Sequence, residues 1–305
     1  MSILLAILGA VAQGLLWGLM ALGVFITFRL LDFADMTCDG SFALGGCVSA
    51  VFTVSMGMNP FFTLIIALAA GMVAGAVTGF LHTKLKIPAI LAGILTMISL
   101  YSINIRIMGK SNTPLLGVDT VISIVKAPFE AIVTTMKSST LQSYVTLGIG
   151  VIICAIIIVA LYWFFGTELG SAIRATGSNE DMIRALGQNT DSTKIVALAI
   201  SNGLVALSGA MVTQSQGYAD VGMGQGAIVI GLASIVIGEV FVGKKASFMK
   251  KLSFIVVGSI IYRIIIAIVL QLGLNTDDLK LLTALMVVLA LSIPILLGNK
   301  KKAKN

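Results

Sequence analysis

Residues 144–165 read YVTLGIGVIICAIIIVALYWFF, and residues 166–192 read GTELGSAIRATGSNEDMIRALGQNTDS. The first run has no charged side chain. As a helix rising 1.5 Å per residue it is about 33 Å long, enough to cross the hydrocarbon core of a bilayer. The second run is polar and punctuated by glycine, as expected of a connection in water. Eight further apolar segments lie on either side of this pair, at 3–28, 40–57, 60–81, 88–108, 193–213, 225–243, 252–272 and 279–298. Segments 40–57 and 225–243 are short and carry several glycines.

Composition agrees with that division. The 305 residues are 58% hydrophobic and 11% charged, with a mean hydropathy of +1.06. A soluble domain carries about 25% charged residues, so this chain cannot cover a water-exposed globule. The expected fold is an all-α polytopic membrane protein of about 8–10 transmembrane helices, some broken or re-entrant. It forms a single domain over 1–305, with no segment left for a soluble one. The net charge of +7 does not point to nucleic acid, because the basic residues fall in short clusters between apolar runs. With the C-terminus (Lys300, Lys301, Lys302, Lys304) placed in the cytoplasm, Arg29, Lys84, Lys86, Arg174, Arg184, Lys194, Lys244, Lys245, Lys250 and Lys251 fall on the same side. Arg106, Lys110, Lys126, Lys137 and Lys280 fall outside. This bias predicts nine crossings, the N-terminus outside, and a multi-pass protein of the cytoplasmic (inner) membrane. No basic n-region precedes the first apolar run, so a cleaved signal is not expected. Cys38, Cys47 and Cys154 read as small core residues, with no CxxC or histidine partner.

Two connections are long. Residues 109–143 form an external loop with an amphipathic stretch, Val121–Met136. Residues 166–192 are cytoplasmic, and there Ser178 followed by Asp181 reads as a capping box, with Gly187 as a stop. A short helix, Asn179–Leu186, is expected between them. Met182, Ile183 and Leu186 make an apolar stripe flanked by Glu180, Asp181 and Arg184. Such a stripe fits a groove on a partner or rests on the protein's own helix ends.

A weak internal repeat joins FADMTCDGSFALG (33–45) to YADVGMGQGAIVIG (218–231). The topology puts the two on opposite faces, as inverted-topology halves would be. Phe33, Asp35, Thr37, Asp39, Ser41, Tyr218, Asp220 and Gln225 are therefore translocation-pathway candidates. So is Arg263, 12 residues beyond Lys251 and near mid-membrane. Its alternative role is a structural ion pair with Glu239, Asp220 or Asp35. Gly71, Gly75 and Gly79, and Gly14 with Gly18, are helix-packing signals. His82 reads as a solvated or snorkelling residue at a helix end, and no metal site is expected. The run Gly238–Lys245 mimics a phosphate-binding loop, but Lys245 stands where Ser or Thr would hold magnesium.

The run Ala175-x-Gly177-x-Asn179-Glu180…Gly187-x-Asn189 resembles the cytoplasmic coupling loop of ATP-binding-cassette (ABC) importer permeases. It is most similar to the family of the branched-chain amino acid and ribose permeases. Leu31–Met36 with Gly40–Ser41 and Gly45–Gly46 resembles a second stretch of that family. Ile261–Tyr262–Arg263 and Leu272–Asn275 with Asp278–Ala284 look like its tryptophan/tyrosine importers. The resemblance implies a homodimer, a cytoplasmic ATPase dimer that binds ATP and Mg²⁺, and an extracytoplasmic solute-binding protein. It implies no cofactor in this chain. Ser178–Arg184, Leu186 and Gly187 would carry ATPase coupling, and the cargo would be a small solute, preferably an aromatic amino acid. An ion-coupled secondary transporter is the rival reading, though it has no ordinary need for a docking helix. An intramembrane enzyme would need convergent catalytic groups, and one histidine with no GxSxG supplies none.

Overall fold

The computed structural model describes residues 3–132, 137–242, 246–273, 281–285, 287, 288 and 292. Lys244, Lys245, Lys280 and the C-terminal lysines lie outside the described residues. So do the resemblance-bearing Leu274–Lys280, most of the expected span 279–298, and the end of the stretch Val121–Met136.

In chain order the elements are α1 (Ile3–Phe25), which continues through a π-helical turn (Ile26–Leu30), then α2 (Thr37–Val54), α3 (Pro60–Thr83) and α4 (Ala89–Met108). A short strand β1 (Asn112–Pro114) leads to α5 (Val121–Ile132) and α6 (Ser138–Phe164). Then come α7 (Glu168–Ser178), α8 (Glu180–Ala185), α9 (Thr190–Gln216), β2 (Tyr218–Asp220), α10 (Ala227–Phe241) and α11 (Phe248–Gln271). Seven of these helices are long and apolar enough to cross a bilayer, and α10 is a shorter apolar helix. The chain is an all-α polytopic membrane protein, as its composition requires.

Local sequence sets the boundaries. Asn59 opens α3 by accepting from Phe61 N–H at 3.0 Å, with Pro60 in the first turn. Gly109 and Gly217 close α4 and α9 in the left-handed region, at φ +67 and +80. The helices α6 and α9 run beyond the expected 144–165 and 193–213, because their polar first turns stay helical under the Asn189 cap and the Lys137 entry. The two long loops also meet: β1 pairs antiparallel with β2, Asn112 opposite Asp220 and Pro114 opposite Tyr218. Hydropathy carries no trace of that ribbon.

Packing is controlled by small residues, since apolar burial alone does not drive helices together in lipid. A Cβ on Gly71 would stand 2.3 Å from Asn202 O, one on Gly75 2.1 Å from Leu198 O, and one on Gly79 2.9 Å from Ile195 Cα. The three-glycine face of α3 thus seats directly on the backbone of α9. On the other side of the bundle, Gly14 and Gly18 of α1 seat on Ile260 and Val256 of α11. Gly238 and Gly258 bring α10 and α11 together, so Gly238 of the phosphate-loop mimic is a packing residue inside a helix. All three cysteines are buried and unpaired.

The two packings are related. α1 leads through Phe33–Ala34–Asp35 to α2 and α3, and α9 leads through Tyr218–Ala219–Asp220 to α10 and α11, in the opposite direction. In each half the aspartate accepts a hydrogen bond from the backbone N–H two residues on: Thr37 N–H to Asp35 at 2.9 Å, Gly222 N–H to Asp220 at 2.7 Å. The third helix of one half packs on the first helix of the other. The basic residues Arg29, Lys84, Lys86, Arg174, Arg184, Lys194, Lys250 and Lys251 gather at one end of the bundle. Arg106, Lys110, Lys126 and Lys137 lie at the other.

Gly75→Val drives a branched side chain into the Leu198 carbonyl and is expected to destabilise the bundle by about 1–3 kcal/mol or more. Gly148→Val on α6 meets open space and leaves stability unchanged. Thermal unfolding of both variants in detergent measures the difference.

Candidate functional site

Two regions hold the residues singled out from the sequence. The first lies inside the bundle, where α2 and α10 begin. A helix start exposes backbone N–H groups, and in a membrane each must be met by protein or water. The chain reaches the start of α2 through the π-turn and Asp32, whose φ of +55 reverses its direction. Asp35 is fully buried there and accepts from Thr37 N–H and from Asn202 Nδ2 at 2.6 Å, with Cys38 Sγ at 3.8 Å. Ser41 Oγ donates to Asn202 Oδ1 at 2.7 Å. Thr37, Thr78 and Thr96 form a hydroxyl chain across α2, α3 and α4, with separations of 2.7 and 2.9 Å. Asp39, one turn further along α2, reaches across to α10 and accepts from Gly226 N–H and Ile228 N–H, both at 2.9 Å. One half of the fold thus caps the broken helix of the other. A Cβ on Gly224 would stand 1.9 Å from Asp39 O, so only glycine lets the two chains approach this closely.

Of the residues expected along a pathway, Phe33, Asp35, Thr37 and Ser41 are buried and gathered in this knot. Asp39 and Asp220 are partly exposed, Tyr218 and Gln225 exposed. Asp220 sits in the β1–β2 ribbon, with Asn112 Nδ2 at 3.5 Å. Arg263 lies over Trp17, its Cζ 4.2 Å from the ring centroid. None of the three acids considered for it is its partner. Glu239 pairs with Arg29, and Asp35 and Asp220 are bonded as described.

Sequence reading missed Asn202 and Gln214, the two polar hubs of α9. Gln214 Nε2 donates to Ser49 at 2.9 Å and Thr63 at 3.1 Å, while its Oε1 accepts from Val121 N–H at 2.8 Å. It ties α2 and α3 to the start of α5. The available signal was an amide within an apolar span, where polar side chains need partners.

The second region is the segment 166–192 at the basic end. It opens with a helix the sequence reading did not separate, α7, capped by Thr167. A Cβ on Gly177 would stand 2.0 Å from Leu30 O, so α7 presses on the end of α1 just before the Asp35 knot. Arg174 donates to Phe165 O at 2.9 Å and lies 5.6 Å from the Phe248 ring centroid, holding α7 to α6 and α11.

The capping residue of α8 is Asn179, which accepts from Met182 N–H at 3.0 Å. The expected Ser178–Asp181 box does not form. Ser178 Oγ donates back to Arg174 O at 3.1 Å, because Ser178 still belongs to α7. The helix spans Glu180–Ala185, shorter than Asn179–Leu186, and Gly187 stops it at φ +84. The apolar stripe divides. Ile183 is buried at 6% exposure, whereas Met182 and Leu186 stand out at 51% and 72%.

Glu180 anchors the helix. It pairs with Lys194 of α9 at 2.7 Å and Arg184 at 2.8 Å, and accepts from Thr190 at 3.3 Å. Asp191 lies 4.0 Å from both Lys86 and Arg184. These groups line a cleft of about 220 Å³ with His82 and Thr83. Partial burial pushes the Glu180 carboxyl up, but the hydrogen bond and charge of Lys194, with Thr190 and Arg184, outweigh it and hold the group below its usual range. His82 is not a free snorkelling group: its Nδ1 is 2.8 Å from Ile87 O, and its ring sits edge-on to Phe33 at 5.1 Å. Among the described residues no cluster of His, Cys, Asp and Glu could hold a metal.

A family model described as the branched-chain amino acid transport system permease component matches residues 6–292. The chain is 42% identical over 282 residues to a tyrosine transport system permease protein of Clostridioides difficile (strain R20291), covering 92% of this chain and 89% of that protein. It is 32% identical to an uncharacterized protein of Rickettsia prowazekii (strain Madrid E), over 93% and 95% of the two chains. A third relative, the autoinducer 2 import system permease protein LsrC of Yersinia pseudotuberculosis (strain IP 31758), is 30% identical over 54% of this chain and 44% of its own length.

The Glu180 anchor has a defined pH dependence. A carboxyl held below its unfolded value of 4.5 contributes stability that is fully present above that pH and fades as pH falls through the folded value. Hydrogen exchange of residues 179–187 is therefore expected to accelerate on acidification below about pH 4.5. Glu180→Gln is expected to exchange fast at neutral pH and to lose that component of the acid response.

Proposed function

Because the chain belongs to the family of branched-chain amino acid transport system permease components, we propose that it is the membrane-spanning subunit of an importer driven by a separate ABC ATPase, and that its cargo is an amino acid, aromatic ones foremost. It is a multi-pass transport subunit, not an enzyme. In this reading two copies pair in the inner membrane with the basic end and the C-terminus in the cytoplasm. An ATPase dimer binds ATP and Mg²⁺ below them, and an extracytoplasmic solute-binding protein delivers the cargo above. The relative named for tyrosine transport supports the cargo class.

The observation that carries the proposal is the construction of α8. Glu180 and Ile183 fasten it to the bundle, while Met182 and Leu186 are left facing water beyond the membrane. Exposed apolar side chains on a helix that is otherwise capped, ion-paired and short suit a groove on a partner. They are not needed to complete the chain's own core.

The same contacts suggest how force would pass inward. ATP-driven closure of the ATPase pair would carry α8 with it. Lys194 links Glu180 directly to α9, and Gly177 links α7 to the end of α1. Both helices run into the knot where Asp35, Asn202 and Asp39 hold the starts of α2 and α10. A shift there would favour one or the other opening of a path between the two copies, the alternating access expected of inverted halves. Asp39, Tyr218, Asp220, Gln225 and Arg263 have open surface to offer that path. Phe33, Asp35, Thr37 and Ser41 frame it. The ribbon of β1 and β2, together with α5, would receive the solute-binding protein.

Met182→Asp and Leu186→Asp place a charge at the proposed contact without touching the Glu180 anchor. Each is expected to reduce co-purification of the ATPase by at least about tenfold, with membrane insertion and thermal stability unchanged. Full retention of the ATPase by both variants, or a lone permease driving uptake from a proton or sodium gradient, would overturn the reading.

A further inference from the structure

Four side chains near the middle of α1 and α11 carry buried polar atoms with no hydrogen-bond partner among the described residues, Gln13 Oε1, Trp17 Nε1, Tyr262 Oη and Arg263 Nε, and three of them, Gln13, Trp17 and Arg263, are taken together. Gln13 and Trp17 are one turn apart on the same face of α1, about 5.4 Å along the axis. Arg263 of α11 lies against Trp17, which also packs on Phe42 with ring centroids 4.7 Å apart. Trp17 is only 7% exposed. Gln13 is fixed in place because its Nε2 donates to Ser215 Oγ at 3.0 Å, which leaves its oxygen as the free acceptor. Arg263 keeps part of its surface open and makes no ion pair among the described residues.

An arrangement like this is expensive without a ligand. Each unmet polar group in a bilayer costs several kcal/mol, and an unpaired guanidinium at mid-depth costs more. The cation–π contact with Trp17 offsets part of the charge but meets neither the Trp17 N–H nor the Gln13 oxygen. Gln13, Trp17 and Arg263 together offer two donors, one of them cationic, and one acceptor. A cation is repelled by Arg263. A simple anion answers the two donors and leaves Gln13 Oε1 alone. A neutral sugar offers hydroxyls but cannot balance the charge. A zwitterionic α-amino acid brings a carboxylate and an ammonium group on one carbon.

We propose that Arg263, Trp17 and Gln13 form a binding site for the carboxylate and ammonium groups of an α-amino acid. The site rests on the importer reading for its meaning as a cargo site, and it names the cargo by chemistry: a free zwitterion, not an amine, an acid or a sugar.

The chain contains two tryptophans, Trp17 and Trp163, and Trp163 is 73% exposed on α6. Trp163→Phe therefore makes Trp17 the only tryptophan reporter in the intact, detergent-purified permease. L-phenylalanine, L-tyrosine and L-leucine are titrated against the Trp17 emission, followed by phenethylamine, which lacks the carboxylate, and 3-phenylpropionate, which lacks the ammonium. A saturable change with at least one amino acid is expected, with no change from phenethylamine and a weaker one from 3-phenylpropionate. Arg263→Gln on this background is expected to raise the half-saturating concentration by about tenfold or more, and Arg263→Lys by less. No response to any of the three amino acids, an equal response to phenethylamine, or an unaltered response in Arg263→Gln overturns the site. If Arg263→Gln does not fold, the ligand comparison on the arginine-containing protein decides alone. ATP-driven uptake with a silent Trp17 would sink this site and leave the importer reading standing. An amino acid response from a chain that recruits no ATPase would do the reverse.

Discussion

Two helices of this protein, α2 and α10, begin within the bundle, α2 at a fully buried turn and α10 at a partly open one, and their first backbone N–H groups need partners there. Lipid tolerates such starts only when protein meets them. Here both are met by carboxylates from one short run of chain: Asp35 at the start of α2, and Asp39 reaching across to α10. Much else in the core is arranged around that solution. Asn202 holds Asp35, Ser41 holds Asn202, and the Thr37–Thr78–Thr96 chain ties three helices to the same point. Glycines at 45, 209 and 224 exist where they do because backbones must come within contact distance for these short side chains to reach.

The knot also explains why the coupling segment is placed as it is. Through Gly177 and Lys194, the two helices at the basic end touch the two long helices, α1 and α9, that lead into the half-helix starts. Each letter of the run Ala175-x-Gly177-x-Asn179-Glu180 that could be given a role has a physical one. Gly177 permits close approach to Leu30, Asn179 caps α8, and Glu180 fastens it. A motif met as a resemblance thus becomes a set of contacts, each of which can be changed separately.

Much of this was legible in the sequence. The spans, the charge bias and the short glycine-bearing segments followed from hydropathy and side-chain counts, since a bilayer constrains every residue in it by the same rule. The faces Gly71–Gly75–Gly79 and Gly14–Gly18 were legible because small residues at helical spacing have few other uses in a membrane. The Phe/Tyr-Ala-Asp repeat was visible, and both copies make the same local turn. Hidden were the partners. Nothing local in the sequence says that Asn202 meets Asp35, 167 positions away, or that Asp39 caps the opposite half. Nor does it say that Arg263 lies over Trp17 in place of an acid. The Ser178–Asp181 pattern misled because a neighbouring helix, α7, claimed Ser178 first and passed the capping role to Asn179.

By itself, then, the sequence determined the solvent of this protein and the order and approximate limits of the apolar helices among its described residues. Those depend on sums over twenty or so neighbouring residues, and sums survive without knowing what touches what. Only the tertiary structure decided which polar groups are consumed in holding the fold and which are left over for a ligand or a partner. A hydrogen bond is a matter of a few tenths of an ångström between residues far apart in the chain, and its absence among the described residues, as at Gln13, Trp17 and Arg263, is recognised only after the other pairings have been made.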